Sequence, residues 1–271
     1  MAIKDILESR NLKPSKGLGQ NFLINERVLE KIVKSAEIKP TDTILEIGPG
    51  TGVLTKELAK RAGKVIAIEK DKKIIELLKE NLKNFKNVEI IQGDILKINP
   101  AGYSLPAANY KIVANLPYYI TSPVIRKFLE VENQPELMVL MVQKEVGRRI
   151  CASPPDMSIL AVSVQFYGKP EIISYVSKNS FWPKPKVDSA IIKITPGIPA
   201  DSKTDADLFF KIVKAGFSQP RKQLLNNFSK ILKIEKIKTA GWLSQNKISE
   251  KQRAETLSLQ DWLDLTKSFN F

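Results

Sequence analysis

The stretch "TILEIGPGTG", Thr43 to Gly52, carries the pattern that decides the fold. Its β-branched apolar half predicts a buried strand, and its glycine half predicts a sharp turn into the helix favoured by "VLTKELAKRAG". Glycines let a backbone turn tightly and approach a ligand closely. The spacing Gly48-x-Gly50-x-Gly52 places the third glycine one residue too early for a dinucleotide fingerprint. The turn therefore favours a nucleoside with a short tail over a pyrophosphate, and a plain strand-to-helix turn is the alternative.

Segments with strand and helix patterns alternate on both sides of this stretch. The helix patterns lie within 25–37, 53–63 and 72–85, and the strand patterns lie within 43–47, 64–71, 87–96, 110–119, 136–143, 159–167 and 188–195. Strands that alternate with helices predict right-handed crossovers and a mainly parallel sheet covered on both faces. We therefore expect an α/β, Rossmann-like domain that binds its ligands beyond the carboxyl ends of the strands.

The pattern changes after "TPGIPADSKTD", residues 195–205, which is rich in turn-forming residues and indicates a linker. Four helix patterns follow, in "LFFKIVKAGF", "RKQLLNNFSKIL", "IEKIKTAGWLSQ" and "LSLQDWLDLTKSF". We therefore expect two domains. The first covers residues 1–199 and begins with an N-terminal segment, 1–40. The second is a smaller, all-helical domain at 200–271.

Composition narrows the classes of function. The 271-residue chain has 43 Lys and Arg against 29 Asp and Glu, a formal charge of +14, which favours a polyanionic partner, nucleic acid before an acidic membrane surface. The absence of histidine excludes Ser-His-Asp and Cys-His nucleophile systems. Cys151 is the only cysteine, which excludes an internal disulfide and argues against structural zinc. The longest apolar run, Leu137 to Val142, is too short to cross a bilayer, so we expect a cytoplasmic protein without metal or membrane partner.

Polar residues close several of the predicted strands. Glu69 ends the second strand, where a carboxylate can accept hydrogen bonds from both hydroxyls of a ribose. Asp94 follows the third strand, where it could accept a hydrogen bond from an adenine amino group. A surface ion pair of Glu69 with Lys70, and a turn or helix cap at Asp94, are the alternatives. Because the carboxyl ends of parallel strands share one edge, we expect both carboxylates on one rim with Gly48 and Asn115.

The motif "NLPY", Asn115 to Tyr118, follows the fourth strand. The side-chain oxygen of Asn115 and the backbone carbonyl of Leu116 could together accept both hydrogens of one exocyclic amine and aim the nitrogen lone pair outward. Pro117 fixes the turn, and the ring of Tyr118 offers a face on which a base can stack. No general base is needed, since the amine becomes acidic once alkylated. The alternative is a strand end with a buried tyrosine.

Aromatic and basic residues mark the segment "FWPKPKVDSAIIKI", 181–194. Its prolines stiffen a loop in which Phe181 could cover the second face of a base held by Tyr118. Lys184 and Lys186 would then lie near the phosphate of that nucleotide. Phe181 and Trp182 as ordinary core aromatics are the alternative.

Nine ordered segments resemble the ribosomal RNA adenine dimethyltransferase family and span Gly17 to about Leu259. They are "GLGQNFL", "EIGPGTGVLT", "IEKD", "GDIL", "NLPYYITSPVI", "QKEVGRRI", "FWPKPKVDSA", "FSQPRKQLLNNF" and "RAETLSL". The resemblance implies a Rossmann-like S-adenosylmethionine domain followed by a small helical RNA-binding domain. It also implies the housekeeping bacterial branch, which dimethylates two adjacent adenosines in the 3′-terminal hairpin of small-subunit rRNA during 30S biogenesis.

The same resemblance implies roles for particular residues, with the N-terminal segment covering the cofactor. The expected S-adenosylmethionine contacts are Gln20, Asn21, Leu23, Gly48, Gly50, Glu69, Asp94 and Asn115. The expected catalytic residues are Asn115, Leu116, Pro117 and Tyr118, with Phe181 holding the target base against Tyr118. The expected phosphate contacts are Lys184, Lys186, Arg221 and Lys222. The expected partner is small-subunit rRNA or a 30S assembly intermediate, bound by a monomer.

Two residues depart from the family pattern: Tyr119, where members often carry Asn, and Pro220, where most carry a polar or basic residue. We expect altered loop packing at the first and one weaker phosphate contact at the second.

Three rival functions stay open at this point: a nicotinamide-dependent dehydrogenase, the sister branch that methylates large-subunit rRNA, and a non-enzymatic assembly factor that binds RNA. The glycine spacing disfavours the dehydrogenase. Leu116 and Asp188 disfavour the sister branch, which usually has Ile and Asn there. The intact "NLPY" motif disfavours a protein that only binds.

Overall fold

The computed structural model describes residues 3–10, 12–15, 17–98, 110–197 and 204–271. Within it the chain divides into two compact units. The first comprises Met1–Gly147 and Pro170–Pro196, and the second comprises Arg148–Lys169 and Gly197–Phe271. Each unit has a hydrophobic core of its own, so each is described by itself.

The first unit alternates strands with helices, as the sequence predicts. Its helices are α1 (Ile3–Ser9), α2 (Glu26–Ser35), α3 (Val53–Ala59), α4 (Lys72–Leu82), α5 (Thr121–Leu129) and α6 (Lys144–Ile150), the last of which ends in the second unit. Its strands are β1 (Phe22–Leu23), β2 (Thr43–Ile47), β3 (Lys64–Glu69), β4 (Val88–Gln92), β5 (Tyr110–Asn115), β6 (Leu137–Gln143), β7 (Gly168–Val176), β8 (Phe181–Trp182) and β9 (Ser189–Pro196). The predicted α/β, Rossmann-like class is confirmed.

Seven strands form one sheet in the order β4-β3-β2-β5-β6-β9-β7, while β1 pairs only with β8. The pairs from β4 to β6 are parallel, and β9 runs antiparallel to β6. The strand order reverses beside β2, whose neighbours are β3 and β5, which makes this the topological switch point where α/β sheets bind ligands. The register brings the ends of β2 and β3 level, with Ile47 opposite Ile68, so their following loops share one edge.

A buried lysine ties the sheet to the segment before it. Lys111, in β5, is only 5% exposed, and its ammonium lies 2.8 Å from Asp42 Oδ2 and donates to the carbonyl of Glu37 at 2.6 Å. A buried ammonium is tolerated only with such partners, because burial removes its water shell. The contact therefore fixes the connection from α2 to β2 against the neighbouring strand β5, and with it the start of the strand that leads into the glycine turn.

The second unit is all-helical. Its helices are α7 (Ile159–Tyr167), α8 (Ala206–Gly216), α9 (Leu224–Leu232), α10 (Lys236–Gln245) and α11 (Leu259–Lys267). The four helices predicted after the linker are thus confirmed. Aromatic rings fill the interior, with Phe228 against Trp242 at 5.0 Å between ring centroids and Phe217 stacked on Trp262 at 5.5 Å. Large rings contribute much buried apolar area for few residues, which suits so small a core.

The strand predicted at Ile159–Tyr167 is wrong, because this segment forms α7. A short, almost continuously apolar run fits a buried strand and a buried helix equally well. The side chain of Ser158 accepts a hydrogen bond from the Ala161 backbone amide and so starts the helix. Phe166 then stacks on Phe209 of α8, with 4.2 Å between ring centroids. Tertiary packing thus selected the helix.

The division into units differs from the predicted domains in one segment. Residues 148–169 belong to the helical unit, whereas the sequence places them in the first domain. The reason is again α7, which packs on α8 and α11. The predicted boundary between 199 and 200 lies outside the described residues. No helix of the described chain is long and apolar enough to cross a membrane.

Candidate functional site

A cleft that opens to solvent lies in the first unit beyond the carboxyl ends of β2, β3, β4 and β5. Five segments line it, among them residues 19–23, 46–51, 68–70, 93–95 and 115–120. The sequence places Gly48, Glu69, Asp94 and Asn115 on one rim, and all four do line this cleft. It lies at the switch point of the sheet.

The glycine turn forms the floor of the cleft. Gly48, Gly50 and Gly52 all have positive φ, at +69°, +57° and +83°. These left-handed angles are strained for residues with a side chain, so the backbone conformation requires glycine at each of these three positions. At Gly50 a Cβ atom would also lie 3.0 Å from the ring of Phe22. The turn is therefore shaped to bring bare backbone to the cleft.

Glu69 lies at the end of β3 and is buried, with 6% of its surface exposed. Its two carboxylate oxygens accept backbone hydrogen bonds from Gly50 at 3.1 Å and from Asp71 at 2.8 Å. Burial raises the pKa of Glu69, and these backbone donors oppose the rise. Each oxygen keeps a second lone pair, so the carboxylate can still accept from a ligand hydroxyl.

A second buried acid, Glu46, stands next to the glycine turn in β2. It is 1% exposed, lines the cleft, and its Oε2 atom has no hydrogen-bond partner within the described chain. Burial, with a smaller contribution from the nearby charge of Glu69, raises the pKa of Glu46 to about 8. The sequence alone assigns no role to Glu46, because a single acid in a buried strand carries no periodic signal.

Asp94 follows β4 and pairs with Lys70, which follows β3. The Lys70 ammonium lies 2.9 Å from Asp94 Oδ2, and the backbone amide of Leu96 donates to Asp94 Oδ1 at 3.0 Å. The hydrogen bond from Lys70 lowers the pKa of Asp94, which keeps the carboxylate ionised. Of the two alternatives, Asp94 does close a turn, whereas the ammonium of Lys70 pairs with Asp94 and not with Glu69.

The "NLPY" residues form a rigid corner at the end of β5. The Leu116 amide donates to the carbonyl of Met141 in β6, and Pro117 leads into a 3₁₀ turn over Tyr118–Ile120. The half-buried Tyr118 shares a 2.8 Å hydrogen bond between its hydroxyl and Ser189 Oγ, at the start of β9. That bond fixes the far end of the ring. Burial raises the pKa of Tyr118, so the hydroxyl stays neutral.

The N-terminal residues 17–23, here named the strap, line the side of the cleft next to this corner. The carbonyl of Asn21 accepts a hydrogen bond from Asn115 Nδ2 at 3.0 Å, and the Asn21 side chain donates to the carbonyl of Gly19. Both amide atoms of Gln20 are also engaged, because Oε1 accepts from the Ser15 amide and Nε2 donates to Asp71 Oδ2. Leu23 is buried and lines the cleft as well.

The remaining predicted residues lie apart from the cleft lining. Phe181 is 3% exposed, belongs to the hydrophobic core and lies on a strand that pairs with Leu23, and it is not among the residues that line the cleft. Lys184 and Lys186 are exposed on the loop after β8, and Arg221 and Lys222 are exposed in the turn before α9. No contact described for these four side chains bears on whether they bind RNA.

The charge of the cleft contrasts with that of the whole chain. Although the formal charge is +14, the ionisable groups that line the cleft include three acids, Glu46, Glu69 and Asp94, against Lys70, which is paired. Because the pKa of Glu46 is raised to about 8 and Asp94 is paired with Lys70, Glu69 carries the unpaired negative charge of the cleft. A cavity with this excess of acids disfavours a pyrophosphate. In the described ranges no group of three His, Cys, Asp or Glu side chains could hold a metal ion.

Sequence reasoning missed the hydrogen-bond partners that fix the site. Ser189, Asp71 and Lys70 each hold a predicted residue, although none received a role from the sequence. The only signal for Ser189 is its place directly before a β-branched strand, in "VDSAIIKI". Pairing between β6 and β9, which sets Gln143 opposite Ser189, brings it to the cleft edge.

A sheet of this order with a glycine turn, a carboxylate on the second strand and an Asn-Leu-Pro-Tyr corner defines a Rossmann-like methyltransferase. The family model described as ribosomal RNA adenine dimethylase matches residues 11–270. The chain belongs to that family.

Similar proteins support this assignment in sequence and in fold. The chain is 49% identical over 264 residues to "Ribosomal RNA small subunit methyltransferase A" from Dehalococcoides mccartyi, covering 96% of this chain and 89% of that one. A dimethyladenosine transferase from Plasmodium falciparum is 31% identical with a TM-score of 0.76, covering 90% of this chain and 95% of that one. The 23S rRNA methyltransferase ErmE is 26% identical with a TM-score of 0.77, covering 92% of this chain and 99% of that one.

Proposed function

We propose that this methyltransferase uses S-adenosylmethionine to dimethylate the exocyclic amines of two adjacent adenosines in the 3′-terminal hairpin of small-subunit rRNA, during 30S biogenesis. The observation that carries the proposal is the corner at Asn115, which places an amide and a tyrosine ring beside the glycine-lined cleft. The 49% identity to a small-subunit methyltransferase supports the choice of rRNA. We further propose that the enzyme acts as a monomer in the cytoplasm.

The residues of the cleft fit S-adenosylmethionine. A sulfonium and an ammonium give this molecule positive charge, which would favour the ionised forms of the buried Glu46 and Glu69. Glu69 can accept from ribose hydroxyls, and Asp94 from the adenine amino group. Gly48 and Gly50 offer bare backbone to the ligand, and Gln20, Asn21 and Leu23 close that side. When bound, the cofactor supplies an electrophilic methyl group.

The corner residues would hold the acceptor amine. Asn115 Nδ2 already donates to the strap, so Oδ1 is the amide atom that can accept a hydrogen bond from the target amine. The carbonyl of Leu116 would accept the second hydrogen, and Pro117 keeps the two acceptors in a fixed relation. Positioning of this kind can account for a large part of a rate enhancement without an acid or base. The amine becomes acidic on alkylation, so the missing histidine is no obstacle.

The target base must leave its stack to reach this corner. Tyr118, held through Ser189, would support one face of the flipped adenine. Phe181 covers the other face in the sequence-based prediction, and its side chain would have to leave the core to do so. The monomethylated product then rotates and reacts again, so the pocket must tolerate one methyl group.

Exposed cations would grip the RNA backbone. Lys184 and Lys186 in the first unit, and Arg221 and Lys222 in the helical unit, are exposed and can reach phosphates. Phosphate contacts fix register without reading sequence, and they make affinity sensitive to salt. We propose that the helical unit serves RNA binding in this way.

The deciding experiment incubates the protein with S-adenosylmethionine and unmethylated 30S particles, followed by mass spectrometry of the rRNA 3′ end. We expect two dimethyladenosines in the terminal hairpin. Purified 23S rRNA is tested in parallel, because the fold likeness to the 23S enzyme ErmE keeps that substrate as the second candidate. Modification of 23S rRNA alone, or binding of 30S without methyl transfer, would refute the proposal.

A further inference from the structure

The strap is joined to the catalytic corner through one hydrogen bond. Asn115 Nδ2 donates to the carbonyl of Asn21 at 3.0 Å, across 94 positions of sequence. Within the described chain no group donates to Asn115 Oδ1. The backbone carbonyl of the strap therefore decides which way the amide is turned, and a displaced carbonyl would allow the amide to rotate away from its acceptor role.

Gln20 fixes that part of the strap with both of its amide atoms. Oε1 accepts from the backbone amide of Ser15 at 2.7 Å, and Nε2 donates to Asp71 Oδ2 at 2.8 Å. Asp71 is itself held, because its other oxygen caps α4 at the amide of Lys73 and its backbone amide donates to Glu69. The side chain of Gln20 thus connects the strap to the rigid start of α4 and the end of β3.

The other end of the strap is held by the sheet ladder between β1 and β8. Phe22 pairs with Trp182, and Leu23 pairs with Phe181. Asn21 lies between this ladder and Gln20, so its carbonyl is fixed from both sides. The ladder consists of paired backbone, whereas the link from Gln20 to the start of α4 is the side-chain contact with Asp71.

We propose that Gln20 is a positioning residue for methyl transfer: through Asp71 it holds the strap so that the Asn21 carbonyl orients Asn115. This inference rests on the proposed role of Asn115 as acceptor of the target amine. It differs from a direct cofactor contact, because the structure shows the Gln20 amide engaged with the protein itself. A positioning role predicts a lower rate of methyl transfer, whereas a direct cofactor contact predicts a weaker cofactor affinity.

The test is a reciprocal exchange of donor and acceptor. Gln20→Glu places a carboxylate against that of Asp71, and their repulsion should displace the strap. We therefore expect the single-turnover methylation rate to fall about 10-fold to 100-fold. Adding Asp71→Asn restores one N–H···O contact with its direction reversed, since Asn offers an amide donor to the new carboxylate. We expect the double variant to recover to within about threefold of the wild-type rate.

Cofactor affinity and a matched variant separate the possible readings. Calorimetry with S-adenosylmethionine should give dissociation constants within about threefold of each other for wild type, single and double variants. Arg10→Gln removes an ion pair of the same N-terminal region with Glu80 of α4, outside the Gln20 contacts, and should leave the rate unchanged. Thermal unfolding of all variants reports any general loss of stability.

The results bear separately on this inference and on the proposed function. A wild-type rate for Gln20→Glu, or a reduced rate that Asp71→Asn does not restore, would overturn the positioning role. The proposed function would still stand in that case, provided that the wild-type protein methylates its substrate. A loss confined to cofactor affinity would also overturn the positioning role, in favour of direct contact. A wild-type protein that transfers no methyl group to 30S rRNA would overturn both.

Discussion

The two units of the molecule solve different physical problems. The first unit places polar atoms at the ends of strands and fixes them by backbone hydrogen bonds, as Glu69 shows with its two amide donors. The second unit fills its interior with rings such as Phe228, Trp242 and Trp262. Within the described residues, the buried charged side chains are Asp42, Glu46, Glu69 and Lys111, all of the first unit.

Buried polar groups indicate where in the molecule chemistry can take place. A buried carboxylate or amide costs free energy unless a partner or ligand compensates it, so such groups persist where a function requires them. An apolar interior has no such cost, and it leaves only the surface of the helical unit for recognition. The comparison therefore predicts that changes in the first unit alter catalysis and its pH dependence, whereas changes in the second alter stability and salt-dependent binding.

The largest effect is expected at the catalytic corner. Asn115→Ala removes the proposed acceptor of the target amine, and we expect the single-turnover rate to fall about 1000-fold, equivalent to about 4 kcal/mol. Cofactor affinity, measured by calorimetry, should change much less, because the glycine turn and Glu69 remain. A methylation rate near that of the wild type would contradict the role of the corner.

The second effect concerns Glu46 and the pH dependence of stability. Its folded pKa is raised to about 8 from 4.5, so the folded state holds a proton that the unfolded state has lost between these values. Stability contributed by this proton is complete below pH 4.5 and declines as pH rises to about 8, at about 1.4 kcal/mol per pH unit. Glu46→Gln should flatten this decline in unfolding of the ligand-free protein by denaturant.

The two units should differ in this test, because the pH-dependent loss of stability is expected in the first unit alone. Glu57→Gln serves as control, since Lys60 and Arg61 hold the pKa of that glutamate below its usual range and its removal should leave the decline in place. In a Trp182→Phe background, unfolding of the helical unit is followed by the fluorescence of Trp242 and Trp262 and should show little dependence on pH over the same window. An identical pH slope in wild type and Glu46→Gln would contradict the burial argument.

The third effect belongs to the core of the helical unit. A Cβ atom at Gly216 would overlap the ring of Trp262, which is fully buried, and would lie 3.3 Å from the ring of Phe228. Gly216→Ala should therefore destabilise this unit by roughly 1–3 kcal/mol in chemical denaturation. Gly241→Ala is the matched control in α10, since its Cβ would meet nothing within 4 Å and should be neutral or stabilising.

The affinity of Gly216→Ala for the cofactor tests whether the two units act separately. If the first unit alone contains the cleft, Gly216→Ala should leave the affinity for S-adenosylmethionine unchanged at temperatures where the protein is folded. A parallel loss of cofactor affinity would show that the two units do not divide the work in this way.

The smallest effect is expected at the surface cations. Replacing both Arg221 and Lys222 with Gln should reduce the slope of log affinity for 30S rRNA against log salt by about 1.5, if each neutralises one phosphate. Lys211→Gln with Lys214→Gln makes the same change in charge on exposed residues of α8 and should alter the slope less. Equal slopes for wild type and the first double variant would argue against phosphate contact.

Much of the site could be predicted because its elements are local in sequence. Gly48, Glu69, Asp94 and Asn115 each follow a strand that its own apolar residues mark, and parallel strands bring such ends to one edge. The helix at 159–167 could not be told from a strand, since a short apolar run suits both. Phe181 lies in the hydrophobic core, as one of the two interpretations of the sequence expects, and its contact with the target base stays a prediction.

The class of fold, the glycine turn and the residue types at the strand ends follow from the amino-acid sequence, because hydrophobic period and backbone requirements act over a few residues. The folded structure was needed to show which polar atoms of those residues are already hydrogen-bonded within the protein and which can still bind a ligand. Asn115 with Asn21, Gln20 with Asp71 and Tyr118 with Ser189 are separated by 94, 51 and 71 positions. A hydrogen bond depends on distances of about 3 Å between atoms, and only the folded chain sets such distances between remote residues.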